Sequence, residues 1–396
     1  MSLTADIVFA IQVPLTARDR DRFGIAFFQE QGLRVGVLDA ADVVMPMLGP
    51  HRRDQYDCWP DIDIEVLPAG GDWSTARRML QGAKLVVNHI GSGYPQPGNL
   101  STLRLIAASR APVLLTASNI HPAAVSRPAA STRRSLWQRL RRAGIANSVL
   151  ARLPLAVLGL RHAEFVVLGA RRSSASMPLI GPRTHRIRAH AQDYDQGLRY
   201  LNWDQTESDK IAVYIDVFMG FHPDSIADGH GVPAHPEVFY PRLRALFDRI
   251  ERELGLEVMI SAHPRADYSD KPRLFGDRKI IVGQSVDLIQ RCRLALGVHS
   301  TASSFAVMFG KPLMVLATRD MTRHPSMIGV CESLAAALGR DIDWLDQPET
   351  IDLAAAQRHD AEAYAAYLAD YVKYPGTPDQ PYWSLVLDAI REKGVL

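Results

Sequence analysis

Residues 256–320 alternate short apolar runs with polar loops and helical patterns, which is typical of a parallel α/β sheet. One apolar run, 257–260, is predicted to be a strand leading to His263. Another, 294–298, is predicted to be a strand leading to Ser300. Open α/β sheets bind ligands outside the carboxyl ends of their strands, so both polar loops fall where a binding site is expected.

The loop after the second predicted strand carries the hydroxyl residues Ser300, Thr301 and Ser303. Ser300 or Thr301 is predicted to cap a helix over 303–309, whose first free amides and dipole favour a bound anion. Gly310 then marks the end of that helix, and Pro312 the turn into the next buried strand, which is predicted over 313–317. Small side chains at this loop would also let a phosphate approach closely.

The loop after the first predicted strand contains His263, Pro264 and Arg265. The proline keeps His263 out of helical geometry, so the imidazole and the guanidinium are expected to project together from the strand end. Together these two groups suit a phosphate or phosphodiester. Gly283, which follows the apolar run IIV between the two loops, is included as a further nucleotide-binding candidate.

A structural interpretation applies to each loop taken alone. Serine and threonine before a helix are most often caps, and a single His-Pro is most often a turn. The two loops nevertheless follow successive strands of one α/β unit, and that joint occurrence favours a binding site.

His263-Pro264, the Ser300-Thr301 pair and the helix that ends in Gly-Lys-Pro resemble elements of a known group of enzymes. The likeness is to the C-terminal donor domain of GT-B glycosyltransferases that build bacterial surface polysaccharides. Within that group it is greatest to capsule and lipopolysaccharide enzymes that use CMP-activated 2-keto sugars (Kdo or sialic-type acids). CDP-glycerol transferases are more distant. The resemblance covers about residues 211–318, while the N-terminal half matches only in general pattern.

The resemblance implies an α/β fold of two Rossmann-like domains facing a cleft. It implies that His263, Pro264, Ser300 and Thr301 bind the phosphate and ribose of a nucleotide. The expected organisation is an acceptor-side domain over 1–205, a donor domain over 206–375, and a C-terminal helix within 376–396 that crosses back to the first domain.

A further predicted strand, 211–218, carries Asp216 inside it or at its end. A buried carboxylate is costly unless it is paired or functional, so Asp216 is a candidate general base or nucleophile. His222 and Asp224 on the following loop offer further acid or base groups. The alternative is structural, with Asp216 paired to an arginine and residues 222–224 forming a turn with a helix cap.

The first half of the chain also alternates strand and helix patterns, which implies a second parallel sheet. Strands are predicted over 6–12, 34–38, 85–89, 113–116 and 164–168, with helices over 17–30, 74–81 and 101–109. Residues 171–210 are predicted to be loop and interdomain connection, and 353–372 and 382–393 to be helices. Polar groups near the strand ends are acceptor-binding candidates: Asn88, His89, Ser92, Asn119 and His121.

Length and composition fit a globular protein of two domains. The 396 residues exceed one ordinary core, and 47% hydrophobic with 22% charged residues is typical of a soluble chain. No run approaches the roughly 18 apolar residues that span a bilayer, and residues 1–14 lack the basic start of a signal peptide. Three scattered cysteines agree with a reducing compartment, so a cytoplasmic location is expected.

A net charge of +2 argues against a general nucleic-acid binder, although the positive charge is unevenly placed. Segment 133–152 interleaves six arginines with Trp137 and several aliphatic residues. That composition is typical of an amphipathic helix on an anionic membrane surface, here the inner face of the cytoplasmic membrane. The alternative is a surface helix packed on its own domain.

No cofactor or metal is expected. Residues 91–98 contain G-x-G, but Pro95 and Pro97 forbid the immediate helix that a dinucleotide fingerprint requires. Loose D-x-D pairs such as Asp61 and Asp63 do not clearly end a buried strand.

The resemblance, together with the two polar loops, therefore implies a glycosyltransferase that moves a sugar from a nucleotide donor to a bacterial polysaccharide or glycolipid, and the donor that it implies is a CMP-activated 2-keto sugar such as Kdo or a sialic-type acid. The alternatives are a CDP-glycerol-type polyol-phosphate transferase, a sugar-nucleotide epimerase and a non-catalytic nucleotide- or carbohydrate-binding protein.

Overall fold

A computed structural model describes residues 5–46, 56–122, 150, 153–173, 177–200, 209–221, 234–263 and 266–396. The chain folds into two compact units. Unit 1 comprises the described residues within 1–118, 130–192 and 376–396, and unit 2 those within 119–129 and 193–375. Four predicted site residues, His222, Asp224, Pro264 and Arg265, lie outside the described residues, as do nearly all residues of the basic segment 133–152.

Unit 1 contains a seven-stranded parallel sheet in the order β3-β2-β1-β4-β5-β6-β7. Its strands are β1 (Ile7–Ile11), β2 (Val35–Asp39), β3 (Asp63–Val66), β4 (Leu85–Asn88), β5 (Val113–Ala117), β6 (Phe165–Leu168) and β7 (His185–Arg188). Its first five helices are α1 (Ala17–Arg22), α2 (Ile25–Glu30), α3 (Ala41–Val44), α4 (Ser74–Gly82) and α5 (Leu100–Ser109). Every residue of β1, β2, β4 and β6 is buried, as expected for parallel strands that are covered on both faces.

Unit 2 contains a six-stranded parallel sheet in the order β10-β9-β8-β11-β12-β13. Its strands are β8 (Ile211–Ile215), β9 (Glu257–Ser261), β10 (Ile280–Ile281), β11 (Leu294–Gly297), β12 (Leu313–Ala317) and β13 (Asp343–Trp344). Its helices are α6 (Tyr194–Leu198), α7 (Pro236–Arg249), α8 (Ser285–Arg291), α9 (Ser303–Met308), α10 (Pro325–Ala337), α11 (Leu353–Ala356) and α12 (Ala361–Tyr367). Single π-helical turns, Ile250–Leu254 and Leu368–Val372, follow α7 and α12.

Both sheets have the same Rossmann order. Numbered within its own unit, each sheet runs 3-2-1-4-5-6, and unit 1 adds a seventh strand at the edge. In such sheets the order reverses between strands 1 and 4, and the crevice outside their carboxyl ends is where ligands bind. Those two strands are β1 and β4 in unit 1, and β8 and β11 in unit 2.

The last helix, α13 (Tyr382–Arg391), belongs to unit 1. Trp383 packs edge to face on Phe28, with ring centroids 5.2 Å apart, and its indole nitrogen donates to the Arg22 carbonyl at 2.8 Å. Tyr382 is fully buried in the same core. The chain terminus therefore completes the hydrophobic core of the unit in which the chain begins.

Three predicted elements differ from the structure in more than their bounds. The single helix predicted over 17–30 is two helices, because Gly24 adopts φ 65 between them and packs against Trp383. Residues 171–210 contain the strand β7, which the sequence pattern did not indicate because three of its four residues are not buried. The helix predicted over 353–372 is interrupted after Ala356 and restarts at Ala361, with the Asp360 carboxylate capping α12.

No helix in the described part of the chain is long and apolar enough to cross a bilayer.

Candidate active site

Asp216 directly follows β8 and lies at the carboxyl end of the unit 2 sheet. The strand predicted over 211–218 ends at Ile215, so Asp216 is outside the strand rather than within it. Its amide still donates to the Ser261 carbonyl at 3.0 Å, and the residue is only 2% exposed. Two residues later Phe218 adopts φ 49, a left-handed conformation that is strained for a non-glycine residue.

The carboxylate of Asp216 is held by one tyrosine. The Tyr268 hydroxyl donates to Oδ2 at 2.5 Å, and it accepts a bond from the His263 amide at 3.3 Å. Within the described residues, Oδ1 of Asp216 is buried and has no hydrogen-bond partner. The arginine pairing that the structural interpretation predicted is not found there, and the tyrosine takes its place.

Burial raises the pKa of Asp216 to about 6. The bond from Tyr268 and the nearby amides of Phe218 and Val217 oppose this rise, because they favour the charged form. Neither amide makes a well-aligned hydrogen bond to Oδ1. Asp216 is therefore a carboxylate that changes protonation close to neutral pH, and its Oδ1 has no well-aligned partner in the part of unit 2 that the structure describes.

The order of the sheet places two further loops beside Asp216. β8 lies between β9 and β11, and Ile215 pairs with Ser261 on one side and with Gly297 on the other. The three strand ends are therefore level. The loop of His263 leaves one neighbouring strand and the loop of Ser300 leaves the other, so these predicted site residues flank Asp216 at one edge of the sheet.

The prediction that Ser300 or Thr301 caps the helix after β11 is wrong. The N-cap of α9 is Ala302, which has no side-chain cap, and Ser300 Oγ accepts from the Ala302 amide at 3.2 Å, outside the helix. The amides of Ser303 and Ser304 donate to the carbonyls of Ser300 and Thr301. These tight backbone turns satisfy the amides at the start of α9, which were expected to bind an anion.

Two other predicted residues have different surroundings. Ser303 is fully buried, and its Oγ has no hydrogen-bond partner in the described part of unit 2. It lies under the end of β11, 3.8 Å from the point that a Cβ on Gly297 would occupy. Gly283 adopts φ 76 in the turn after β10, and a Cβ there would meet no atom within 4 Å. The left-handed backbone conformation therefore favours glycine at position 283, and no neighbouring atom would clash with an added Cβ.

The acceptor candidates predicted near the strand ends of the first half are divided between the units. Asn88 Oδ1 accepts from the Ile90 amide at 2.9 Å and so forms a turn. Asn119 and His121 belong to unit 2, and burial lowers the pKa of His121. The Ser92 side chain lies outside the described part of the chain.

His89 is the remaining acceptor candidate in unit 1. Its ring stacks on Phe23 with centroids 4.4 Å apart, and its Nδ1 lies 3.4 Å from the Thr116 hydroxyl. Its Nε2 is buried and unpartnered among the described residues, although the residue as a whole keeps some exposed surface. Burial, and then the charge of Arg22, lower the pKa of His89 to about 4, so the imidazole is neutral.

Tyr268 is the site residue that the sequence did not indicate. It stands in the polar loop ADYSDK, five positions after His263, and an aromatic residue in such a loop is the one local signal. Across the described residues, no group of three or more His, Cys, Asp or Glu side chains could hold a metal ion.

No protein-family model matches the sequence, and no curated protein matches it. Solved structures match over nearly the whole chain. CalG4, the calicheamicin glycosyltransferase, matches at a TM-score of 0.51 and 14% identity, covering 99% of this chain and 98% of that chain. MurG of Acinetobacter baumannii matches at 0.51 and 12% identity, covering 98% and 99%.

A variant of the wall teichoic acid polymerase TagF matches at 0.51 and 11% identity, covering 99% of this chain and 90% of that chain. At such low identities the similarity shows the fold alone. The predicted fold class, two Rossmann-like α/β units as in GT-B glycosyltransferases, is therefore confirmed.

Proposed function

We propose that this chain is a glycosyltransferase that moves a sugar from a nucleotide donor to a glycan or glycolipid acceptor. The observation that carries the proposal is the position of Asp216. It is buried, its pKa is near neutral, and the loops of His263 and Ser300 flank it at the point where the strand order of unit 2 reverses. The likeness in fold to CalG4 and MurG agrees with this activity.

Unit 2 is proposed to bind the nucleotide. The His263 imidazole and the hydroxyls of Ser300 and Thr301 would hold the phosphate and ribose, with Pro264 and Arg265 next to His263 in sequence and Gly283 in the turn after β10. Because the backbone amides at the start of α9 are already satisfied, the side chains would supply most of the hydrogen bonds. Positive charge from Arg265 would stabilise the nucleotide as it leaves.

A CMP-linked 2-keto sugar is the proposed donor. This preference rests on the likeness of His263-Pro264 and Ser300-Thr301 to enzymes that use such donors. Unit 1 is proposed to bind the acceptor. Its contribution would come from strand-end groups such as His89.

In the proposed reaction the acceptor hydroxyl oxygen bonds to the anomeric carbon while the bond from that carbon to the donor phosphate oxygen breaks. The electron pair of the broken bond leaves with the nucleotide. The hydroxyl proton moves to Asp216, whose pKa of about 6 keeps it mostly ionised at neutral pH. As an alternative role, Asp216 attacks the anomeric carbon as a nucleophile and the sugar is transferred in two steps.

A polyol-phosphate transferase is the second candidate function. It is favoured by the match to the wall teichoic acid polymerase TagF, which has the same TM-score as the two glycosyltransferases. In this reaction the acceptor hydroxyl oxygen would bond to the phosphorus that carries the polyol and lose its proton to a base, while the bond between the two phosphates of the CDP-linked donor breaks and CMP leaves. An epimerase would act on a free nucleotide sugar without acceptor, and a binding protein would show no turnover.

The test is a screen for thermal stabilisation by CMP, CDP, UDP and GDP, followed by analysis of products from the nucleotide sugars of the stabilising base. A ligand at 100 times its Kd stabilises a protein by about 2.7 kcal/mol, which a melting curve resolves. Stabilisation by CMP and acceptor-dependent release of CMP are the expected results. Stabilisation by none of the four nucleotides would contradict the proposal.

The basic segment 133–152 is proposed to bring the enzyme to an anionic membrane surface, where a glycolipid acceptor would lie. Replacing Arg139, Arg141 and Arg142 with glutamate should release the protein from anionic vesicles, and salt should do the same. If the unaltered protein fails to sediment with anionic vesicles at low salt, the segment is a surface helix of its own domain.

A further inference from the structure

Tyr268 connects two loops of unit 2 that are remote in sequence. Its hydroxyl donates to Asp216 Oδ2, 52 positions earlier in the chain, and accepts from the amide of His263. A phenolic hydroxyl has one proton, so a bond from Tyr268 to the carboxylate leaves its oxygen to accept from the amide. Each of the two bonds therefore has a defined direction.

The ring of Tyr268 is fixed by aromatic neighbours. It packs edge to face on Phe218 with centroids 5.3 Å apart and lies 6.0 Å from the Phe275 ring. Phe218 is itself held at a positive φ, two residues after Asp216, to which Tyr268 donates. The hydroxyl thus reaches Asp216 from a rigid position.

The bond to Tyr268 occupies Oδ2 and leaves Oδ1 as the buried oxygen without a partner among the described residues. An unsatisfied buried acceptor is unfavourable, and a hydroxyl of a bound ligand would satisfy it. A carboxylate held by one oxygen on a rigid donor presents the other oxygen in a single orientation, as an acid or base group requires.

We propose that Tyr268 is a positioning residue, which holds Asp216 through Oδ2, leaves Oδ1 to meet a ligand hydroxyl, and couples Asp216 to the loop of His263. The consequence of this positioning for sugar transfer rests on the function proposed above. The effect of Tyr268 on the orientation and pKa of Asp216 does not depend on that function. The coupling means that a nucleotide bound at the His263 loop would also settle the orientation of Asp216.

The electrostatic surroundings give this role a measurable signature. Among the described residues, the titratable groups whose pKa the Asp216 charge raises include Tyr214 on β8, Tyr240 on α7 and Tyr268 itself. Burial and the Asp216 charge raise the pKa of each phenol, so all three stay neutral while Asp216 titrates. Of these three phenols, Tyr268 donates its hydrogen bond to the carboxylate, whereas Tyr240 donates to the Met219 carbonyl at 3.1 Å.

The experiment is a carbon-13 NMR titration of the aspartate carboxyl groups, with the Asp216 signal assigned by its loss in Asp216→Asn. In Tyr268→Phe the midpoint of Asp216 should rise by about one pH unit, because the charged form loses its donor. Tyr214→Phe is the matched control. Its hydroxyl lies in the same cluster and has no partner among the described residues, so its removal should leave the Asp216 midpoint unchanged.

The second arm is the pH profile of sugar transfer for the same proteins. If both the Asp216 midpoint and the acid limb of the profile rise in Tyr268→Phe, the positioning role and the proposed base are both supported. If the midpoint rises and the acid limb does not, Tyr268 still positions Asp216, but Asp216 is not the base. An unchanged midpoint in Tyr268→Phe overturns the inference whatever happens to activity.

Site-specific 3,5-difluorotyrosine at position 268 provides a second variant that keeps the shape of the side chain. Its more acidic hydroxyl is a stronger donor, so the Asp216 midpoint should fall rather than rise. This variant decides the matter if Tyr268→Phe does not fold, and a midpoint that stays in place would again overturn the inference.

Discussion

Units 1 and 2 have the same strand order, yet carboxylates at their strand ends are bonded differently. Asp39 ends β2 in unit 1, where its two oxygens accept from the Ala41 amide at 2.9 Å and the Tyr56 hydroxyl at 2.7 Å. Asp216 follows β8 in unit 2 with one oxygen bound and the other without a partner among the described residues. The strand order places polar side chains at the ligand-binding edge of both sheets. A buried carboxylate oxygen that has no hydrogen-bond partner in the described part of the chain is what distinguishes the candidate site at Asp216 from the structural turn at Asp39.

The strongest test of this comparison is the same substitution in both units. Asp216→Asn keeps the size of the side chain but removes the base, so single-turnover transfer should fall by roughly 10²- to 10⁴-fold while nucleotide affinity changes little. Asp39→Asn should lower the free energy of unfolding and leave turnover of the folded protein unchanged. Near-normal turnover in Asp216→Asn would mean that Asp216 is structural and would move the search for the catalytic group to Asp224, His222 or the unit 1 strand ends.

Two glycines with the same backbone conformation allow the cost of backbone strain to be separated from the cost of a steric clash when each is replaced by alanine. Gly24 in unit 1 has φ 65, and a Cβ there would lie 2.3 Å from the Trp383 ring. Gly310 in unit 2 has φ 61 and open space around that position. Gly24→Ala should therefore cost about 3 kcal/mol or more, and Gly310→Ala about 1 kcal/mol from strain alone. Urea unfolding measures both, and equal losses would contradict this account.

Burial has opposite effects on the pH dependence of the two units. Asp216 has a pKa of about 6 in the folded state against an ordinary 3.8. Between these two values the folded state binds more protons than the unfolded state, so the free energy of unfolding falls as the pH rises from 3.8 to about 6. His89 has a pKa of about 4 against an ordinary 6.5, so the unfolded state binds more protons and stability falls as the pH drops through that range. Each effect is at most about 3 kcal/mol, and smaller for the partly exposed His89.

The measurement is urea unfolding at pH 4 and pH 7.5. The quantity compared is the free energy of unfolding of each variant minus that of the unaltered protein. For Asp216→Asn this difference should be more favourable at pH 7.5 than at pH 4. For His89→Phe it should be more favourable at pH 4 than at pH 7.5. A shift in the same direction for both variants would show that burial does not control these two groups.

The smallest expected effect concerns the nucleotide loops. His263→Ala, or the double change Ser300→Ala with Thr301→Ala, should weaken nucleotide binding about tenfold, which corresponds to about 1.4 kcal/mol. The fold should survive, because these side chains are only partly buried. Thr116→Ala beside His89 in unit 1 is the control and should not change nucleotide affinity. Unchanged affinity in both unit 2 variants would remove these residues from the proposed site.

The sequence by itself determined the alternation of strands and helices and the polar composition of the loops that follow the strands. β12, for example, was predicted with the bounds that the structure has, because a continuous apolar run between Pro312 and a polar loop is a local pattern. The helix end at Gly310 was predicted for the same reason, since a positive φ there depends on the residue itself.

Only the tertiary structure decided which loops are neighbours and which polar groups are satisfied. The position of β8 between β9 and β11 depends on hydrogen bonds between strands remote in sequence, and no periodicity encodes that order. The uncapped start of α9 depends on backbone turns that compete with the hydroxyls of Ser300 and Thr301. The bond from Tyr268 to Asp216 joins residues whose proximity arises only when the sheet has formed, so the sequence could indicate the carboxylate but not its partner.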